Sequence, residues 1–102
     1  MTLVEMKKIE IVAEAIRSRD LCAVLDEAGA TGYTVLPVIA GRGHHGMRST
    51  GDPTGLQDTV MIMVIASEPV AQAILARSDR IIGATTAIMA VSTVSVLRAD
   101  HF

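Results

Sequence analysis

Aromatic side chains are almost missing from this sequence. Tyr33 and Phe102 are the only two in 102 residues, and there is no Trp. A base-stacking platform is thereby excluded, and the core must be built from Val, Ile, Leu, Met and Ala. Cysteine is nearly as scarce. Cys22 stands alone, which leaves no internal disulfide and no Cys-x-x-Cys metal or redox pair, and makes a reducing cytoplasm the expected compartment. Basic residues show no excess: 9 Lys and Arg stand against 11 Asp and Glu, a net charge of -2, the wrong sign for a general nucleic-acid binder. Long apolar runs are missing too. Glu5, Lys7, Lys8 and Glu10 interrupt the N-terminal region where a secretory signal would lie. The longest uncharged stretch, Ile81 to Leu97, falls short of the roughly 20 residues that span a bilayer, and it carries Gly83, Thr85, Thr86, Ser92, Thr93 and Ser95. No membrane insertion is expected.

What is present suits a single domain over residues 1–102: half of the residues are hydrophobic, enough for one core at this length. Val4 to Val12 reads as a strand ending in the β-branched Ile9, Ile11 and Val12. From Ser18, Leu21, Val24, Leu25 and Ala28 recur at i, i+3, i+4 and i+7, one apolar helical stripe, with Ser18 as cap and Gly29 placed to end the helix. Tyr33 to Ile39 reads as a second strand, in which Pro37 marks an edge, a bulge or an end. Residues 40–58 hold five of the eight glycines and read as a long loop. Thr59 to Ala66 is a nearly continuous apolar strand. Ser67-Glu68-Pro69 opens a helix running to about Ser78, and a last strand spans about Ala87 to Arg98. The order β-α-β, loop, β-α-β predicts an α+β, ferredoxin-like fold: four antiparallel strands with both helices on one face. Val60 to Ile65 is apolar on both faces, so the face without helices needs a cover, and another copy of the chain is the simplest one.

Between Glu27 and Asp52 there is no acidic residue, while Arg42 and Arg48 lie inside, a local charge of +2 from two arginines with His44 and His45 neutral. Gly41, Gly43, Gly46 and Gly51 allow backbone N–H groups to approach a ligand, and Ser49 and Thr50 add hydroxyls. This is the composition of an anion site, with phosphate or carboxylate matched by the arginine fork; it is equally that of a solvated loop, and the residues alone leave both open. His44, His45 and His101 read first as solvated side chains, with transition-metal ligation as the alternative; no metal site is assigned. Cys22 reads as a small half-buried side chain. No nucleophile, base and orienting group stand together, so no catalytic residue is assigned.

Gly29-Ala30-Thr31-Gly32-Tyr33-Thr34-Val35, placed between a helix and a strand, resembles the G-x-x-G-x-T-V segment of the PII signal-transduction superfamily. The Gly41-Arg42-Gly43 turn falls where that family's T-loop begins. The sequence is most similar to the PII-like branch associated with carboxysomes and bicarbonate transport, through Val12-Ala13-Glu14-Ala15-Ile16, the run Asp26 through Val35, and Arg48-Ser49-Thr50-Gly51. The resemblance covers nearly the whole chain. It implies a homotrimer of ferredoxin-like subunits that binds adenine nucleotides between neighbours without acting as an enzyme. Its T-loop, about 40–58, would engage a partner such as a bicarbonate transporter or carboxysome component. By position, Gly29, Ala30, Thr31, Gly32, Tyr33 and Thr34 would line the adenine and ribose. Gly41, Arg42, Gly43, Arg48, Ser49 and Gly51 would surround the phosphates, and Thr85, Thr86 and Ala87 would form the second contacting loop. Arg98 would reach a neighbour's ligand.

Two departures refine the expectation. His45 stands where relatives of this branch carry a second arginine, which favours AMP or ADP over ATP, with bicarbonate as co-ligand. Gly83 to Ala87 lacks the lysine that true PII proteins use for ATP. No cofactor is implied. Some relatives bear a C-terminal extension with two cysteines; redox control by that device is not expected here.

Overall fold

The computed structural model describes residues 1–43, 46–49 and 58–102. Strand β1 (Val4–Glu14) passes through one 3-10 turn (Ala15–Arg17) into helix α1 (Ser18–Ala28). Strand β2 (Thr34–Val38) follows, then the short β3 (Ala40–Gly43) and β4 (Gly46–Ser49). Strand β5 (Thr59–Ala66), helices α2 (Glu68–Leu75) and α3 (Ser78–Ile81), strand β6 (Ile88–Val96) and a final 3-10 turn (Ala99–His101) complete the order. β2, β5, β1 and β6 form one antiparallel sheet in that order. The predicted α+β ferredoxin-like plan is the one observed, and Pro37 lies on an edge strand, where a residue without an N–H is tolerated.

Register decides which side chains meet the helices. Ile9 stands opposite Val64 on one side and Val91 on the other; Ile11 stands opposite Ile62 and Met89. Since successive strand residues point to opposite faces, Ile9, Ile11, Ile62 and Val64 share one face. They are buried with Leu21, Val24, Leu25 and Ala28 of α1, Ala71 and Ile74 of α2 and Ile81 of α3. The four stripe residues of α1 are thus all in the core.

The other face is open in a single chain. Leu36, Met61, Val12 and Ile88 stand in one row across all four strands, and Ile88 is 61% exposed. Apolar character on both faces of β5 is therefore real: Ile62 and Val64 are buried against helices, while Met61, Met63 and Ile65 face away from them, half-buried.

Four local expectations change. Ser18 does not cap α1. The preceding Arg17 is already in helical conformation, the chain enters from the 3-10 turn, and no side-chain capping bond forms. Ser67 does hold the extended N-cap conformation before α2, but it caps without its hydroxyl: its carbonyl accepts from Ala71 N–H at 2.9 Å. The second helix stops at Leu75 rather than near Ser78. There Arg77 N–H bonds to Ile74 O, three residues back, and its guanidinium donates to Ala73 O at 2.8 Å, which tightens the turn before α3. Finally, residues 40–58 are not irregular throughout. β3 and β4 pair with Gly41 opposite Arg48 and Gly43 opposite Gly46. Glycine-rich segments have little intrinsic strand preference, so the pairing rests on the backbone ladder of the hairpin. Residues 44, 45 and 50–57 lie outside the described residues, among them His44, His45, Thr50 and Gly51.

Candidate functional site

Helix α1 sets the first wall. It ends at Gly29, whose φ of 96° is left-handed and whose N–H reaches back to Asp26 O at 3.1 Å, while Ala30 N–H donates to Leu25 O at 3.0 Å. That cap turns the chain at once toward β2. In the turn, Gly32 is exposed, and no atom would meet an added Cβ. Thr31 Oγ1 donates to Phe102 O at 3.3 Å. Tyr33 donates its hydroxyl to Asp26 Oδ2 at 3.3 Å. Donating to that carboxylate stabilises the protonated phenol and raises the Tyr33 pKa above its usual value. Burial raises the pKa of the adjacent Cys22 thiol, a bond with Tyr33 opposes this, and the Asp26 charge adds to it. Cys22 is half-buried, as its place beside Leu21 on α1 predicts.

At the far end of β2 the chain continues into the β3–β4 hairpin. It brings Gly41, Arg42 and Gly43 opposite Arg48, Met47 and Gly46, with Ser49 opposite Ala40; Arg42 is exposed. The five-residue strand β2, which begins with Thr34 of the first group, leads to the second, about 17 Å of strand. Thr85, Thr86 and Ala87 share the hairpin's end of the sheet, because β6 begins opposite Val12 while Val38 and Glu14 both stand opposite Thr59. Thr85 is held firmly: its hydroxyl donates to Ile82 O at 2.5 Å and accepts from Arg17 Nη1 at 3.1 Å and Ala87 N–H at 3.2 Å. Ala87 itself packs into the core. Gly83, with φ 50° and Asp79 O only 3.0 Å from where a Cβ would sit, makes the turn that places this loop.

Arg98 stands apart from both groups. It follows β6 at the opposite sheet edge from β2, exposed, with a left-handed φ of 59° unusual for a residue with a side chain. Within one chain, then, two groups flank the edge strand β2, Thr85 to Ala87 lie level with the hairpin, and Arg98 lies at the far corner.

Sequence reasoning missed the residues that complete the first group. A cleft of about 220 Å³ is lined by Gly32, Tyr33, Thr34, Met63, Ile65, His101 and Phe102. Sequence pattern assigns Met63 and Ile65 to a strand and His101 to solvent; only the register of β5 beside β2 and the path of the C-terminal turn bring them together. Arg17 escapes sequence reasoning as well. Its guanidinium ties the Thr85 loop to Arg80 O at 3.3 Å, and a separate hollow of about 460 Å³ lies between Arg17, Asp20, Leu21, Ala23, Val24 and Arg80. On α1, Glu27 serves structure: it binds Arg77 at 3.0 Å and also Arg80, clasping the helix to the segment after α2. Among the described residues no three His, Cys, Asp or Glu side chains gather as a metal site, and no helix is long and apolar enough to cross a membrane.

Comparison with known proteins agrees with this architecture. Residues 6–101 match the family model of nitrogen regulatory protein P-II. Among solved structures, CPII, a PII-like protein from Thiomonas intermedia K12, bound to ADP, AMP and bicarbonate, superposes with a TM-score of 0.88. It is 26% identical to this chain, covering 99% of it and 96% of its own length. The same protein bound to ADP and bicarbonate gives 0.84 at 28% identity, covering 99% and 97%. A PII-like signalling protein from Thermus thermophilus gives 0.85 at 30% identity, covering 100% and 99%. The chain belongs to the nitrogen regulatory protein P-II family, and within it to the PII-like branch.

Proposed function

We propose that this protein is a homotrimeric, non-enzymatic sensor of adenine nucleotides, AMP or ADP ahead of ATP. The nucleotide lies along β2 in the seam between subunits. Its base and ribose rest against Gly29 to Thr34, and its phosphates against Gly41, Arg42, Gly43, Arg48, Ser49 and Gly51, with Thr85 to Ala87 alongside. Arg98, at the opposite edge of the sheet, is the residue placed to contribute to a neighbour's ligand. The carrying observation is the likeness over almost the full length to CPII, whose structure holds ADP, AMP and bicarbonate. The chain's own geometry supports the same reading: glycine-rich turns flank an edge strand whose length suits an extended nucleotide, and Arg42 and Arg48 belong to the turn at one end only.

The mechanism is an ordering switch. Arginine forks and backbone N–H groups of the hairpin bind phosphate, and that interaction offsets the entropy of fixing the 40–58 loop. Bicarbonate, a small planar anion, suits the same donors as co-ligand. The ordered loop then engages or releases a partner, with a bicarbonate transporter or carboxysome component as the class of target and control of inorganic-carbon uptake as the outcome.

Titration calorimetry with AMP, ADP and bicarbonate tests the reading. Saturable heat with AMP or ADP, lost in Arg48→Ala, is expected; no heat with any nucleotide at millimolar concentration would remove it.

A further inference from the structure

The only two aromatic residues of the chain, Tyr33 and Phe102, lie far apart in sequence, yet both line the same small cleft. Phe102 reaches it from the far side of the sheet. β6 and β2 are opposite edges, three strand spacings or about 14 Å apart, and Leu97 to Phe102 crosses that distance. Three features hold it in place. Arg98 takes the left-handed conformation that bends the chain out of β6. The turn closes with His101 N–H on Arg98 O at 3.0 Å and Phe102 N–H on Ala99 O at 3.1 Å. Its end is fastened to the α1–β2 turn by the Thr31 hydroxyl on Phe102 O. A left-handed non-glycine residue costs energy that the surroundings must return, so the crossing is specified by contacts at its destination.

The cleft has a defined chemistry. Met63 and Ile65 of β5 and Thr34 of β2 belong to the sheet face away from the helices, and the register sets Thr34 directly beside Met63. They form a largely apolar surface, His101 and Phe102 complete the lining, and no atom lies within 4 Å of where a Cβ on Gly32 would sit. At about 220 Å³ the space suits one planar heterocycle and is smaller than the pockets that enclose whole drug-sized ligands.

We infer that Phe102 is a base-recognition residue: the C-terminal turn of the same chain is the second wall of the adenine subsite, and the purine inserts between Phe102 and the Met63–Ile65 surface. This rests on the nucleotide-site reading above and adds to it a residue outside the Gly29 to Thr34 segment. The composition that excludes a platform for successive bases leaves enough aromatic surface for a single one, because an aromatic face packs on any base.

The test is AMP binding by calorimetry to the wild-type chain, Phe102→Ala and Phe102→Leu, each checked for an unchanged melting temperature. In parallel, the emission of Tyr33, the only tyrosine and with no Trp to mask it, reports on the cleft during titration. The inference predicts AMP affinity weakened about 5- to 150-fold in Phe102→Ala, the range of one base–aromatic contact. It predicts a smaller loss in Phe102→Leu, and a saturable change in wild-type Tyr33 emission at the same midpoint as the heat. Wild-type binding with Phe102→Ala equal or tighter would overturn the inference while leaving the site reading intact, since the turn would then be idle or a competitor. Absence of nucleotide binding by the wild type would remove both.

Discussion

Gly29 shows how much a single residue decides. Its left-handed φ closes α1 and aims the chain at β2, so every residue from Ala30 to Thr34 depends on it. Gly29→Ala forces a Cβ into that conformation and is expected to cost about 1–2 kcal/mol, read as a fall of roughly 4–15 °C in melting temperature for a domain of this size; an unchanged melting temperature would show that the cap has another solution. Glu27 gives a second prediction with a definite sign. Hydrogen bonds first from Arg77 and then from Arg80 lower its pKa below the ordinary 4.5. A group with a lowered folded-state pKa contributes stability that is full above its unfolded value and is lost as pH falls through the folded one. The wild type should therefore exceed Glu27→Gln in stability at neutral pH, and the difference should shrink below about pH 4.5; denaturant unfolding of both proteins across about pH 3–7 would check it. These roles divide cleanly in legibility. The glycine cap is readable because it follows the end of an apolar stripe. The clasp is not, because Glu27 and Arg77 are 50 residues apart and nothing local pairs them.

Among the elements, helix α1 and strand β5 are legible to the residue or nearly so, because a four-residue apolar stripe and a continuous apolar run each have a pattern that burial enforces. Leu25 is fully buried in that stripe, and Leu25→Ala should destabilise the domain by about 2–5 kcal/mol, measurable as a lower denaturant midpoint; a loss under about 1 kcal/mol would mean the helix is not packed as described. Elements without such a pattern escape sequence reasoning. The β3–β4 hairpin is built largely of Gly, Arg and Met with no apolar alternation, so its ladder leaves no trace in composition. The early end of α2 depends on Arg77 reaching Ala73 O, a local choice that propensity cannot foresee. The cleft beside Gly32 is half legible. Its Gly29 to Thr34 wall comes from a resemblance carried by contiguous residues, whereas Met63, Ile65, His101 and Phe102 join it only through strand register and a chain crossing. Arg17 is hidden for the same reason, its partners being Thr85 and Arg80.

For the whole molecule, the open face of the sheet is the decisive feature. Leu36, Met61, Val12 and Ile88 form an apolar row that a lone chain leaves to water, and the proposed trimer covers it. Ile88→Glu puts a charge on that row without touching the helix-side core, so it should yield a monomer with near-native helix content by circular dichroism. A trimer unaffected by Ile88→Glu would place the contact elsewhere. The proposed site spans the seam, with β2 and the hairpin from one subunit and Arg98 from the next, so nucleotide binding and assembly must rise and fall together. Sedimentation of the wild-type chain and of Ile88→Glu with AMP present measures this most directly. The account predicts that AMP travels with a trimeric wild-type boundary and not with monomeric Ile88→Glu; a wild-type chain that sediments as a monomer, or a monomeric variant that still carries AMP with wild-type affinity, would contradict it.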